Sequence, residues 1–152
     1  MKFYITNFYN VRFLTPNQIP FSTAIWDPKW YHDFQNQDYI FQDKNDVWNG
    51  LRIEPLHPDI HLETSNECIG CDHKKNGKCG FIEGYKKQLE SLKFNLLLNY
   101  FNQTVKHLTP ENENPEIVLL VHETIGNPCS ERHPLKEYFK QYGIELIDLY
   151  RK

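Results

Sequence analysis

Ile117-Val118-Leu119-Leu120-Val121-His122-Glu123-Thr124-Ile125-Gly126-Asn127-Pro128-Cys129-Ser130-Glu131-Arg132-His133-Pro134 is the stretch whose reading decides the fold. It opens with five apolar residues, most of them β-branched. A short apolar run bounded by turn signals reads as a strand buried on both faces. The run stops at Val121, and His122, Glu123, Cys129, Glu131, Arg132 and His133 follow closely. Gly126-Asn127-Pro128 marks a loop. Pro134 then suits the first turn of a helix, where a missing N–H breaks no bond. Ionisable groups and a thiol thus gather between the carboxyl end of a buried strand and the start of a helix. In open α/β sheets ligands bind at that edge, and a helix start favours anions.

Outward from this stretch the chain reads as one α/β unit. Leu135, Tyr138, Phe139 and Tyr142 form one helix face, and Gly143 is a left-handed terminator. Ile144 to Leu149 alternates apolar and polar residues as a last strand, beside the first or the central one. On the other side, residues 81–108 carry apolar residues at helical spacing, among them Phe81, Tyr85, Leu89, Leu92 and Leu96, then Leu97, Phe101, Val105 and Leu108. The stripe drifts around Lys93 to Leu98, which predicts two helices or one bent one. Phe3 to Thr6 is a first strand, and Asn7 to Arg12 bring polar groups to its end. Pro16 to Pro20 reads as a connector and Phe21 to Ile25 as a second strand. Trp26-Asp27-Pro28-Lys29-Trp30-Tyr31 turns at Asp27-Pro28 and makes either a packed cap or a pocket wall. Residues 32–50 form a long polar excursion. Leu51-Arg52-Ile53 reads as an edge strand ended by Pro55 and Pro58, and Arg52 pairs either with an anionic ligand or, the commoner outcome, with Glu54 or another carboxylate. The expected architecture is a small three-layer α/β fold: a mainly parallel sheet flanked by helices, with a cysteine-rich, zinc-knuckle-like insertion. Residues 1–152 form one domain, and 66–80 are the metal-knuckle insertion within it.

Composition bounds the function. The 152 residues suffice for one core. A net charge of −3 gives no global attraction to nucleic acid or anionic membranes. No segment has the length or apolarity of a membrane span, and the start Met1-Lys2-Phe3-Tyr4-Ile5 lacks a signal-peptide pattern. We expect a cytoplasmic protein, or one acting in a host cytoplasm. Four cysteines in that setting read as thiols or metal ligands rather than disulfides.

Cys68-Ile69-Gly70-Cys71-Asp72-His73-Lys74-Lys75-Asn76-Gly77-Lys78-Cys79-Gly80 is the most specific chemical signal. Two thiolates two residues apart reach one ion in a tight turn, and a third comes from the Asn76-Gly77 knuckle. Zinc takes four such ligands tetrahedrally. Cys68, Cys71, Cys79 and His73 make the local set, with His57, His61 and Cys129 as distant alternatives for the fourth place. An iron–sulfur cluster is the second candidate, and a loop of plain thiols the bland one. Lys74, Lys75 and Lys78 offset thiolate charge, or form a solvated face.

Cys129 lies where a thiol pKa falls, beside a helix start and near Arg132 and His133. Glu123 or a histidine is then an acid or base. The Cys-Ser-Glu-Arg spacing is too short for the Cys-x5-Arg loop of tyrosine phosphatases and lacks its glycines, so that mechanism is rejected. The bland reading packs Cys129 under the helix and pairs Arg132 with Glu123 or Glu131.

The apolar strand followed by Glu123, Gly126, Cys129 and Arg132 resembles the YeaO-like domains of bacteria and phages. Their strand is followed by a Glu and a Cys-His-Arg signature. Glu123 matches that Glu and Cys129 that Cys, whereas Cys129-Ser130-Glu131-Arg132 stands in place of Cys-His-Arg. The family His is missing or displaced to His133. Phe3 to Arg12 is similar to the family's first strand and loop, and Phe21 to Tyr31 to its short strand followed by Pro-x-Trp-Tyr. The resemblance implies a small three-layer α/β fold with a site at the strand ends, and no particular activity.

These readings give a first hypothesis and two rivals. The first is a pocket at the C-terminal ends of the strands for a nucleotide-like or other anionic small molecule, with or without turnover. Arg52 or Arg132 binds the anion, Trp26 or Trp30 stacks a ring, Glu123 accepts from a base or sugar, and Asn7, Arg12 and His133 line the site. Cys129, Glu123 and Arg132 are the catalytic candidates. The second is a phage-type interaction module, stabilised by structural zinc, that binds a host protein. The third is a nucleic-acid binder using the knuckle lysines.

Overall fold

The computed structural model describes residues 1–33, 41–42, 48–59, 80–122 and 130–149. The cysteine knuckle (Cys68, Cys71, His73 and Cys79), His61, Glu123 and Cys129 lie outside the described residues.

Among the described residues seven strands form one sheet: β1 (Lys2–Asn7), β2 (Gln18–Ser22), β3 (Tyr31–Asp33), β4 (Phe41–Gln42), β5 (Trp48–Arg52), β6 (Glu116–Val121) and β7 (Leu146–Asp148). Their order is β3-β5-β2-β6-β1-β7, with β4 pairing β5 off this path. Strands β5, β2, β6, β1 and β7 run parallel, as does β3 with β5, while β4 is antiparallel. The helices are α1 (Gly80–Glu90), α2 (Phe94–Leu108) and α3 (Arg132–Gln141). Short 3-10 helices span Phe8–Phe13 and Glu54–Leu56.

β6 is the centre, as its sequence predicts: Ile117 to Val121 are all fully buried. Its side chains alternate between two cores. Ile117, Leu119 and Val121 join Phe3, Ile5, Ile19, Phe21 and Leu146 against α1, α2 and α3. Phe101 of α2 sits edge-on to Phe3 and Phe21, with ring centroids 5.6 and 5.0 Å away. Val118 and Leu120 face the other way, onto Phe8 and Val11 of the first 3-10 helix and onto Ala24, Trp30 and Tyr31. The α/β fold thus matches expectation. Among the described residues its second outer layer is this 3-10 helix and loop, not an α-helix.

Several boundaries move. The expected second strand begins earlier, at Gln18, and includes Pro20. The Thr23 N–H donates to Leu120 of β6, so alternation turns the Pro20 nitrogen away from β6. On that side β5 pairs with β2 only from Phe21 onward, so Pro20 leaves no β2–β5 ladder bond unmade. Leu51 and Arg52 of the expected edge strand belong to β5, which is interior, between β3 and β2, and Ile53 follows its end. The helical stretch splits at Ser91–Lys93, where the apolar stripe drifts, and Leu96 points outward. Gly143 ends α3 at φ +78. Its N–H bonds to Lys140 O and that of Ile144 to Phe139 O, the two bonds of a Schellman cap. β7 then pairs with β1.

No helix among the described residues is long and apolar enough to cross a membrane.

Candidate functional site

The connections leaving β1 and β6, which are neighbours, go to opposite faces. From β1 the chain crosses over the Val118/Leu120 face to β2, and from β6 it crosses over the other face through α3 to β7. This is a topological switch point, the place where open α/β sheets form a ligand crevice at the carboxyl ends of two neighbouring strands. Polar side chains gather there and along the edge to either side, in three groups.

On the β7 side, Asp148 ends the strand and Arg132 begins α3. Arg132 grips Asp148 with two prongs, Nε to Oδ1 at 2.5 Å and Nη2 to Oδ2 at 2.6 Å. Lys136 Nζ adds a third contact to Oδ2 at 2.5 Å. Burial pushes the Asp148 carboxyl up, but the hydrogen bonds and charges of Arg132 and Lys136 outweigh it and hold the pKa below the usual range. The remaining Arg132 nitrogen, Nη1, lies 3.5 Å from His133 Nδ1. An anionic ligand would have to displace Asp148 to use this guanidinium. Arg132 therefore pins the start of α3 to the end of β7.

On the β5 side, Arg52 is engaged in the same way. Its Nη1 meets Asp27 Oδ2 at 2.5 Å, its Nε lies 3.5 Å from Glu54, and its Nη2 donates to the carbonyls of Ala24 and Ile25. The Ser22 hydroxyl donates to the other Asp27 oxygen at 2.5 Å. His57 closes the group, with Nδ1 2.8 Å from Arg52 Nη2 and Nε2 3.2 Å from Ser22 O. Both ring nitrogens are occupied, so His57 is not a zinc ligand in this arrangement. Burial first, and the Arg52 charge second, lower its pKa. Of the two readings the sequence leaves for Arg52, the structure shows the carboxylate pairing, with Glu54 and with Asp27.

The central group lies at the crevice. The Asn7 side chain accepts from Asn10 N at 3.2 Å and caps the 3-10 helix. Asn10 donates to Thr6 at 2.9 Å. The buried Thr23 hydroxyl lies 2.9 Å from the buried Glu131 carboxylate and 3.0 Å from Leu120 O. His122, the last described residue before the loop carrying Glu123 and Cys129, donates from Nε2 to Trp26 O. Its ring packs on Phe8, centroids 4.8 Å apart. Phe8 in turn meets Trp30 edge-on. The Arg12 guanidinium carbon lies over two rings, 4.7 Å from the Tyr9 centroid and 5.4 Å from that of Trp30. Among the described residues Arg12 pairs with no carboxylate. The 8–14 segment around it holds no acid. Trp26 is 77 % exposed and Tyr9 59 %.

Of the sequence candidates, Asn7, Arg12, Trp26 and Trp30 flank one edge of the crevice, while Arg52 and Arg132 mark its outer supports. The meeting of Glu123, Cys129 and Arg132 lies outside the described residues, as does the metal set. Sequence reasoning missed Asp27, Asp148 and Thr23, and it offered Glu131 as a partner for Arg132, whereas Glu131 meets Thr23 and Arg132 grips Asp148. Asp148 stood out only as a polar position in an alternating strand, and nothing local marked Asp27 as the partner of Arg52. A cleft of about 610 Å³ lies beside β7, with Lys136, Lys140, Ile144 and Glu145 in its walls, and adjoins the Asp148 group through Lys136.

Compared with known protein families, curated proteins and solved structures, the chain matches none of them.

Proposed function

We propose that the crevice between β1 and β6 binds a small planar anion of nucleotide type. The observation that carries this reading is Arg12, a cation without a carboxylate partner among the described residues, whose guanidinium carbon lies over the rings of Tyr9 and Trp30. Ring faces attract a guanidinium without neutralising it, and its forked donors suit two-pronged phosphate contact. Exposed Trp26 supplies a ring face for a base. Glu123 and Cys129, which follow His122 in the sequence, are proposed as the acceptor and the thiol of the site. Arg132 then serves as a positioning residue. The YeaO-like resemblance agrees with a site at the strand ends.

Zinc on Cys68, Cys71, Cys79 and His73 completes the reading as a structural staple; its support is the cysteine spacing. Elemental analysis of purified protein tests it: stoichiometric zinc is expected, and its loss in Cys68→Ser.

Calorimetric titration with adenosine monophosphate, guanosine monophosphate and inorganic phosphate tests the pocket. Binding of a nucleoside monophosphate is expected, weaker for phosphate alone, and lost in Arg12→Ala while the thermal transition stays in place. Binding unaffected by Arg12→Ala and Trp26→Ala would refute it. The exposed rings of Tyr9, Phe13 and Trp26 favour a second reading, a host-protein interface. In that case no nucleotide binds, and Trp26→Ala abolishes capture of the partner.

A further inference from the structure

The Arg52 guanidinium is a clamp on the loop that carries Trp26. It holds Asp27 at 2.5 Å and the carbonyls of Ala24 and Ile25 at 3.2 and 3.3 Å. The same Nη2 lies 2.8 Å from His57 Nδ1. A guanidinium has donors only, so Nδ1 must be the acceptor. The ring proton is therefore on Nε2, which faces Ser22 O at 3.2 Å. In this arrangement His57 is a neutral imidazole with both nitrogens in use.

A second proton would set N–H against N–H at Nδ1, and a cation against a cation. Among the described residues, the charged groups facing His57 are Arg52 of β5, Asp27 of the loop after β2, and Glu54 beside it in the chain. Glu54 Oε2 is 3.5 Å from Nδ1 and would favour the proton, but Glu54 is 75 % exposed and weakly held. From α1 come only neutral groups. Gln88 Nε2 donates to His57 O at 2.5 Å, and the Tyr85 hydroxyl donates to Leu56 O. These bonds fix the His57 backbone, so the guanidinium is the partner that yields.

We propose that protonation of His57 drives Arg52 off residues 24–27 and so loosens the Trp26 loop, making this corner of the molecule an acid-sensitive latch. The latch depends on the Arg52–His57 contact alone and stands whether or not the crevice takes a nucleotide. Because burial and Arg52 depress the His57 pKa, the unfolded chain takes up the proton first. The latch's stabilising contribution is present above the ordinary imidazole value of about 6.5 and declines as pH falls below it.

Nitrogen-15 NMR of the full chain tests this. At neutral pH the His57 ring is expected to carry its proton on Nε2. On acidification its midpoint should fall below the ordinary imidazole value. The amide signals of Ala24, Ile25, Trp26 and Asp27 should shift with that same midpoint, before unfolding. His57→Gln still accepts from Arg52 but does not titrate, and should abolish the loop response. If that variant does not fold, the wild-type ring and amide signals decide. A proton on Nδ1 at neutral pH, loop amides that ignore the His57 midpoint, a ring that stays neutral until the chain unfolds, or an unchanged loop transition in His57→Gln would each overturn the proposal.

Discussion

Replacing Asp148 by Asn should destabilise the fold by about 2 kcal/mol at neutral pH, with a defined pH signature. The pair is two-pronged and partly buried, with side-chain exposures of 13 % for Arg132 and 23 % for Asp148. Fully exposed pairs contribute about 0.2–1 kcal/mol, whereas breaking a fully buried one costs about 3–5 kcal/mol. Asn removes the charge but keeps one acceptor for Arg132, which places the loss between these limits. For a chain of this size, about 2–4 °C of Tm is lost per kcal/mol, so Tm should fall by about 4–8 °C. The sign of the pH dependence follows from the depressed Asp148 pKa. A carboxyl held low in the native state stabilises it above its unfolded value of about 3.9 and loses that effect as pH falls through the native value. Urea unfolding of both proteins at several pH values should show a full gap from pH 7 to about pH 5, closing below about pH 4. Equal stabilities at pH 7, or a gap that persists in strong acid, would refute the assignment of Asp148 as the charged anchor of α3.

Other substitutions probe the frame around the crevice. Gly50→Ala should cost about 1–3 kcal/mol in urea unfolding. Its Cβ would come within 2.7 Å of the Tyr31 ring, which is buried and tied by its hydroxyl to Leu51 O at 2.7 Å. Thr23→Val removes a donor to buried Glu131 and should cost about 1–3 kcal/mol by the same assay. Phe101→Ala, which empties the space between Phe3 and Phe21, should cost about 3–5 kcal/mol and serves as the calibration for a core site.

The parts of the fold legible in the sequence are those where one periodicity held without competition. Ile117 to Val121 is apolar at every position because both faces of β6 are covered, and that pattern alone places it at the centre. Gly143 announced the end of α3 because only a left-handed residue closes that cap at no steric cost. The second strand was displaced because Pro20 reads as punctuation, and sequence cannot show that its nitrogen faces a stretch where the ladder has not begun. β5 looked like an edge because its neighbour β3 is three residues long and sits in polar sequence. The site was legible in location and not in wiring. A run of polar residues after a buried strand says where groups gather. It does not say that Arg132 will find Asp148 at the end of another strand, or that Arg52 will find Asp27. Those pairings depend on which strand ends the crossovers bring together.

That wiring bears on how the edge could work. Three polar groups line the carboxyl edge, and the outer two are closed by acid–base pairing. In a medium of intermediate dielectric a guanidinium already gripped by a carboxylate gains little from a second anion, since the first must be displaced. The outer groups instead fix the two segments that frame the crevice, residues 24–27 through Arg52 and the start of α3 through Arg132. The central arginine is held by ring faces, which orient a cation without neutralising it. On the proposed reading, support and recognition are divided between different arginines. Removing an outer pair should first alter stability and loop geometry, and affinity only through them. Removing Arg12 should alter affinity while stability stays nearly constant. A nucleotide titration run beside urea unfolding on Arg12→Ala and Asp148→Asn separates the two, and equal losses of affinity and stability in both variants would show that the division does not exist.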